Sequence, residues 1–193
     1  MSQVICDNIP NYGQDTPVIP QKSARCRWLF LAIPSRIFAL DSQVKFKART
    51  LDGQDFTTES VQGKVVLVEF WATWCPYCKR DAPAVDAMQE EFQDQGLLVL
   101  AVDVAESKKT VTKYLSESPR NCKIVLMNDT NLAAWFAPKT FPHYAVIDRT
   151  GHEAGEQKGA GGERSLRHLL SKAGLRADDS GDPGELQSSP RRA

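Results

Sequence analysis

The stretch Val65-Val66-Leu67-Val68-Glu69-Phe70-Trp71-Ala72-Thr73-Trp74-Cys75-Pro76-Tyr77-Cys78 decides how this chain is read. Val65 to Phe70 is an apolar run rich in β-branched residues, with Glu69 its one polar member, and its length suits a buried strand better than a helix. From Lys79 to Phe92 the apolar residues Ala82, Val85, Met88 and Phe92 recur at helical spacing. A strand is therefore predicted to deliver Cys75 to a helix N-terminus. Unpaired backbone N–H groups and the positive end of the helix dipole favour an anion at that position. Cys75 should accordingly react as a thiolate, with its sulfur exposed. Cys78, within the first turn and shielded, is placed to attack a mixed disulfide formed on Cys75. The pair can then cycle between dithiol and disulfide.

Outward from this centre, composition excludes several classes. The chain has 193 residues, 41% of them hydrophobic, enough for one substantial core with extensions. Formal net charge is zero and no long basic face is evident, so nucleic acid is not expected as a partner. Of the five cysteines, Cys6, Cys26, Cys75, Cys78 and Cys122, only two lie at motif spacing. A structural zinc site needs a second close pair of ligands, and a c-type haem needs His directly after Cys78, where Lys79 stands. No metal and no cofactor are expected.

Residues 1–43 read as an N-terminal extension. Met1 to Ser23 is polar and aperiodic, with the composition of a disordered segment. Arg25-Cys26-Arg27 then precedes the apolar run Trp28 to Ile33, which Pro34 and Arg36 interrupt before Ile37 to Leu40. Two readings stand here: a degenerate export signal, or an amphipathic segment packing on the domain. Membrane association is expected only through residues 25–40, since the run is too short to span a bilayer.

From Val44 the pattern is globular. Phe46, Ala48 and Thr50 alternate with charged residues up to the Asp52-Gly53 turn and Gln54 to Thr57, which predicts a β-hairpin. Further strands are predicted over Leu97 to Val104 and Lys123 to Met127, and a hairpin from Tyr144 to Lys158 about Asp148 to Gly151. Helices are predicted after Ser107, over Thr130 to Phe136, and over Ser165 to Ala173 with Gly174 as its stop. Pro83 should kink the helix that follows Cys78. Residues 176–193, rich in Asp, Gly, Ser and Pro, read as a disordered tail. The whole is an α/β domain over 44–175, with a partly parallel sheet.

The active-site run from Gly63 to Cys78, with Pro83 beyond it, resembles the thioredoxin superfamily, and within it the TlpA/ResA-like thiol-disulfide oxidoreductases, or redoxins, of bacteria. The resemblance extends from about Val44 to Gly174. It implies a thioredoxin-like fold, a central mixed β-sheet flanked by helices with an N-terminal β-hairpin extension. It also implies roles. Glu69 stands where the family has a buried acid behind the cysteines, and burial would raise its pKa so that it exchanges a proton with Cys78. Pro142 matches the family's cis-proline, which faces the disulfide and leaves backbone groups free for a substrate strand, although Phe141 is unusual before it. Trp74, Pro76, Tyr77, Phe141 and Pro142 form the implied substrate-binding surface, with Trp71 packed beneath. His143 lies next to Pro142 but reads more simply as a polar strand residue.

The function expected is thiol–disulfide exchange with protein disulfides, most readily as a reductase, by a monomer recharged by an upstream redox donor. The resemblance places it outside the cytoplasm, periplasmic or membrane-associated, with a cytoplasmic location as the alternative. Two other functions stand as alternatives. A peroxiredoxin-like thiol peroxidase would carry Pro and Thr or Ser before its cysteine, where Val68 and Ala72 stand. A metal-binding thioredoxin-fold module would use the two sulfurs for a soft ion.

Overall fold

The computed structural model describes residues 42–176. The expectations for the extension, including Cys6, Cys26 and residues 25–40, and for the C-terminal tail fall outside the described residues, apart from the segment ends at 42–43 and 176.

Twelve elements follow one another over the described residues. They are β1 (Lys47–Thr50), β2 (Asp55–Thr57), β3 (Val65–Trp71), α1 (Pro76–Phe92), a 3-10 turn (Gln93–Gln95), β4 (Leu97–Asp103), α2 (Lys108–Glu117), β5 (Lys123–Thr130), α3 (Leu132–Phe136), β6 (His143–Ile147), β7 (Glu153–Lys158) and α4 (Gly162–Ser171). The strands form one mixed seven-stranded sheet in the order β2-β1-β5-β4-β3-β6-β7. β3, β4 and β5 run parallel, while β1, β2, β6 and β7 join antiparallel.

The two central strands explain the apolar runs of the sequence. Every residue of β3 and β4 is buried, as a strand covered on both faces requires. They pair in register from Val65↔Leu97 to Trp71↔Asp103, so the ends of both strands rise to the same edge of the sheet. The cysteine motif begins at that edge. α1 packs on β4 and on α4 with the stripe Cys78, Asp81, Ala82, Val85, Met88 and Phe92. The helix continues across Pro83, and Gly96 ends the following 3-10 turn in the left-handed region, φ 86°, where a side chain is disfavoured.

The predicted hairpins are present, β1 with β2 and β6 with β7, and Ser107 caps α2 by accepting the Thr110 N–H at 3.1 Å. Several boundaries differ by a residue or two, and the end of β5 and the start of α4 differ most. β5 runs on to Thr130 where a helix is predicted from that residue, because Thr130 pairs with Ala48 and its hydroxyl donates to the Lys47 carbonyl at 2.7 Å. α4 begins at Gly162 rather than Ser165. Its first N–H groups find an acceptor outside the local sequence, the carboxylate of Asp81 in α1.

Candidate functional site

Cys75 is the N-cap of α1. Its backbone is extended, φ −82° and ψ 110°, and its sulfur accepts the Cys78 N–H at 3.1 Å. Pro76 takes the first helical position, where a missing N–H leaves no bond unmade. The sulfur thus sits against the free N–H groups of a helix end, the setting that stabilises a thiolate. Cys75 and Cys78 are joined as a disulfide with their Cα atoms 5.3 Å apart. Both are buried, 2% and 1% exposed. The expected exposure of Cys75 is therefore not found in this form. The bond draws its sulfur toward Cys78, which lies on the buried stripe of α1.

Around the pair, Trp74 and Tyr77 stand out at 63% and 57% exposed, and Pro76 is exposed as well. The two aromatic side chains make an exposed apolar patch beside the buried disulfide. Trp74 meets Phe141 edge to face, ring centroids 6.2 Å apart, so the loop before β6 borders the cysteine loop. The Phe141–Pro142 bond is cis. The Pro142 carbonyl is already taken by the Gly159 N–H at 2.8 Å, whereas the backbone N–H and carbonyl of Phe141 make no hydrogen bond among the described residues. Any free backbone group at this turn therefore belongs to Phe141. Beyond it, Trp74 and Phe141 share an apolar groove with Val104, Met127, Ala137 and Pro138.

Glu69, in the middle of β3, is fully buried. Its Oε2 accepts from Arg120 Nη2 at 3.0 Å, and its Oε1 has no partner among the described residues. Burial pushes its carboxyl above the ordinary carboxylate range, against the pull of the Arg120 charge. Arg120 also donates Nε–H to both oxygens of Asp86, at 2.9 and 3.0 Å, and lies over the ring of Trp71. Trp71 is buried beneath the site and packs against Tyr114. Glu69 is hydrogen-bonded to a guanidinium, then, and to neither cysteine.

Sequence reasoning missed the roles of five residues. Arg120 follows Ser118-Pro119 in an aperiodic loop and offers no signal. Asp81 did offer one: three residues after Cys78 it falls on the apolar stripe of α1, where a carboxylate needs a reason. Its Oδ2 accepts the N–H groups of Gly161 and Gly162 at 3.1 and 3.2 Å, which ties the cysteine helix to α4. Asp103 and Glu106 flank a turn after β4 that the sequence reads only as a connection. His143 is buried, with Nε2 3.2 Å from the Glu156 carboxylate and its ring against Phe70, and burial holds its pKa below the ordinary value.

The profile of the AhpC/TSA family matches residues 40–152, more than half of the chain and all of the cysteine site. The chain belongs to the AhpC/TSA family. Within this redoxin group it is similar to a thiol-disulfide oxidoreductase, ResA, of Halalkalibacterium halodurans, at 27% identity over 122 residues, 63% of this chain and 69% of that protein. It is 29% identical to the thioredoxin-like protein YneN of Bacillus subtilis over 55% of this chain and 63% of that one. The chain thus spans about two thirds of the length of these relatives. Among solved structures, a putative thiol:disulfide interchange protein DsbE from Chlorobium tepidum superposes with a TM-score of 0.60 at 23% identity, covering 67% of this chain and 92% of that one. The MTB DsbF structure gives 0.58 at 26%, covering 67% and 96%. The fold of this AhpC/TSA-family protein is the thioredoxin-like α/β fold.

Proposed function

We propose that this protein is a thiol–disulfide oxidoreductase that reduces disulfides of other proteins, with Cys75 attacking and Cys78 resolving. The observation that carries the reading is the Cys75–Cys78 disulfide at the N-terminus of α1, beneath exposed aromatic side chains. In the reduced pair the Cys75 thiolate attacks one sulfur of a partner disulfide, forming a mixed disulfide and expelling a partner thiolate. Cys78 loses its proton and attacks the Cys75 sulfur. The second partner thiolate leaves and the Cys75–Cys78 bond remains. Two electrons pass from the pair to the partner, and a second dithiol of the same chemical class restores it.

Glu69 is the acid–base group of this proposal. A buried carboxyl whose pKa burial raises above the ordinary carboxylate range is suited to take the Cys78 proton and return it. Since Glu69 is bonded to Arg120, the transfer requires a relay or a rotation of its free Oε1. Trp74, Pro76, Tyr77 and Phe141 form the docking face, with Pro142 setting the turn, and the unbonded backbone groups of Phe141 suit an extended segment laid beside the disulfide.

The family name also covers peroxidases, but Val68 and Ala72 stand where those enzymes need Pro and a hydroxyl residue, and both are buried apolar side chains. A location outside the cytoplasm belongs to the same proposal, because protein disulfides that need reducing accumulate there. Among the described residues no helix is long and apolar enough to cross a membrane. The test is the reduction potential of the purified protein together with insulin reduction. A potential near that of thioredoxin, about −270 mV, supports a reductase, and one near −120 mV, as in strong oxidants, overturns the direction. A periplasmic-reporter fusion to the full chain tests the location, and activity only in the cytoplasm overturns it.

A further inference from the structure

Beside the cysteine loop lies a carboxylate clasp that the exchange chemistry above does not use. Glu106 Oε2 accepts the Thr73 N–H at 2.6 Å, and its Oε1 accepts the Thr73 hydroxyl, also at 2.6 Å. Both bonds are short and charge-assisted, and they converge on the residue two before Cys75. Thr73 therefore cannot turn without breaking the pair. Glu106 reaches it through a turn in which Ala105 is held at φ 65°, a left-handed conformation that a residue with a side chain rarely adopts. That strain is opposed from below. Asp103, fully buried at the end of β4, accepts the Glu106 N–H at 3.2 Å, and Val104 donates its N–H to the Trp71 carbonyl at 3.0 Å.

We propose that Glu106 is a positioning residue of the exchange site, clasping Thr73 so that Trp74 and Cys75 are presented in one geometry, and that a proton held between Asp103 and Glu106 keeps the clasp closed. The inference rests on the reading of Cys75 as the attacking sulfur. Asp103 Oδ2 is buried and meets no donor among the described residues, while the Glu106 carboxylate faces it. Two such carboxyls are compatible at close range when one carries a proton and donates it to the other. Burial, the bond to Glu106 and its charge push the Asp103 carboxyl up to about 7. Burial acts upward on Glu106 too, yet the bonds from Thr73, the proton from Asp103 and the Lys79 charge hold it below its ordinary value. The proton therefore resides on Asp103.

Among the described residues the charged surroundings are few. From α1, Lys79 faces Glu106. From α2, Lys109, Lys113 and Glu117 line the cleft that Thr73 opens into. As pH rises through neutrality Asp103 ionises, two carboxylates face each other beneath Thr73, and the clasp loosens. The same ionisation sets the sign for stability: Asp103's contribution is intact below about 4 and is lost as pH rises through about 7.

The experiment uses the oxidised full chain, in which neither cysteine of the pair titrates. The Thr73 amide resonance is followed by NMR between about pH 5 and pH 9 in wild type, Asp103→Asn and Glu106→Ala. Asn is the permanent neutral stand-in for protonated Asp and can still donate to Glu106. A step near pH 7 in wild type that disappears in Asp103→Asn supports the proposal. In the reduced proteins, Glu106→Ala should slow reaction of Cys75 with a model disulfide about tenfold, whereas Asp103→Asn should match wild type at acid pH and keep that rate constant when wild type declines. Thr73→Val, which removes only the hydroxyl bond, should fall between them. A Thr73 amide that does not titrate, or a folded Glu106→Ala reacting at the wild-type rate, overturns it. The NMR readout needs no turnover, so it is independent of whether the protein reduces disulfides.

Discussion

Arg120 and Glu69 form a buried ion pair, Nη2 to Oε2 at 3.0 Å, and the same guanidinium is held on its other side by Asp86. One cation thus stands between two carboxylates under the floor of the disulfide site. The arrangement explains how β3 carries an acid through a core of Val, Leu and Phe without leaving an isolated charge there. It also keeps Glu69 poised, with burial favouring its neutral form and Arg120 its charged one.

Removing Arg120 should therefore expose the cost of that acid. Arg120→Met keeps most of the apolar stem over Trp71 but strands Glu69, and should destabilise the protein by about 3–5 kcal/mol near neutral pH. In acid, where Glu69 takes up a proton, the loss should shrink. Urea unfolding near pH 5 and pH 8 checks this, and an equal loss at both would mean that Glu69 is not the charge being balanced.

Glu69→Gln is the complementary change. The folded pKa of Glu69 lies above its unfolded value of about 4.5, so its contribution to stability is intact below that pH and declines as pH rises toward the folded pKa. Gln does not ionise, so the stability of wild type relative to the variant should fall across that window. Disulfide exchange near neutral pH should slow while Cys75 stays alkylatable, since the change removes only the proposed proton acceptor for Cys78. Parallel denaturation and stopped-flow series measure both, and unchanged exchange kinetics would remove Glu69 from the mechanism.

The elements legible in the sequence were those whose signal is local. Val65 to Phe70 and Leu97 to Val104 announce buried strands by apolar runs, Ser107 announces a helix cap, and Cys75 announces a helix start by what precedes and follows it. The partners of Glu69 were not legible, because Arg120 reaches it from 51 residues away, out of a loop. The start of α4 was hidden for the same reason, since its cap comes from Asp81, 80 residues earlier. Side chains that satisfy a distant element leave no period behind them. Asp81 nonetheless broke the apolar stripe of α1, and an acid on such a stripe is a readable sign of a tertiary bond.

Asp81→Ala tests that bond. Two backbone N–H groups at the start of α4 lose their acceptor, in a buried setting, and the change should cost about 1–3 kcal/mol. Hydrogen exchange should locate the loss, with faster exchange in α4 before β3 or β4. Uniform acceleration across the sheet would place the role of Asp81 elsewhere.

The cysteines should separate cleanly by reactivity. Cys75 at the helix N-terminus should be the first alkylated in the reduced protein, and Cys75→Ser should abolish reduction of a model disulfide. Cys78→Ser should accumulate mixed disulfides, because attack still proceeds and resolution does not. Cys122 is buried and free, and burial, opposed by the Arg120 charge, pushes its thiol up to about 12. At about pH 8 roughly one Cys122 thiol in ten thousand is then ionised, so native protein should leave it unlabelled until denaturant is added. Cys122→Ser should accordingly leave exchange unchanged. Mass mapping after timed alkylation and non-reducing digestion decides it: labelling of Cys122 in step with Cys75, or a stoichiometric bridge from Cys122 to either motif cysteine, would mean that the redox centre is not confined to Cys75 and Cys78.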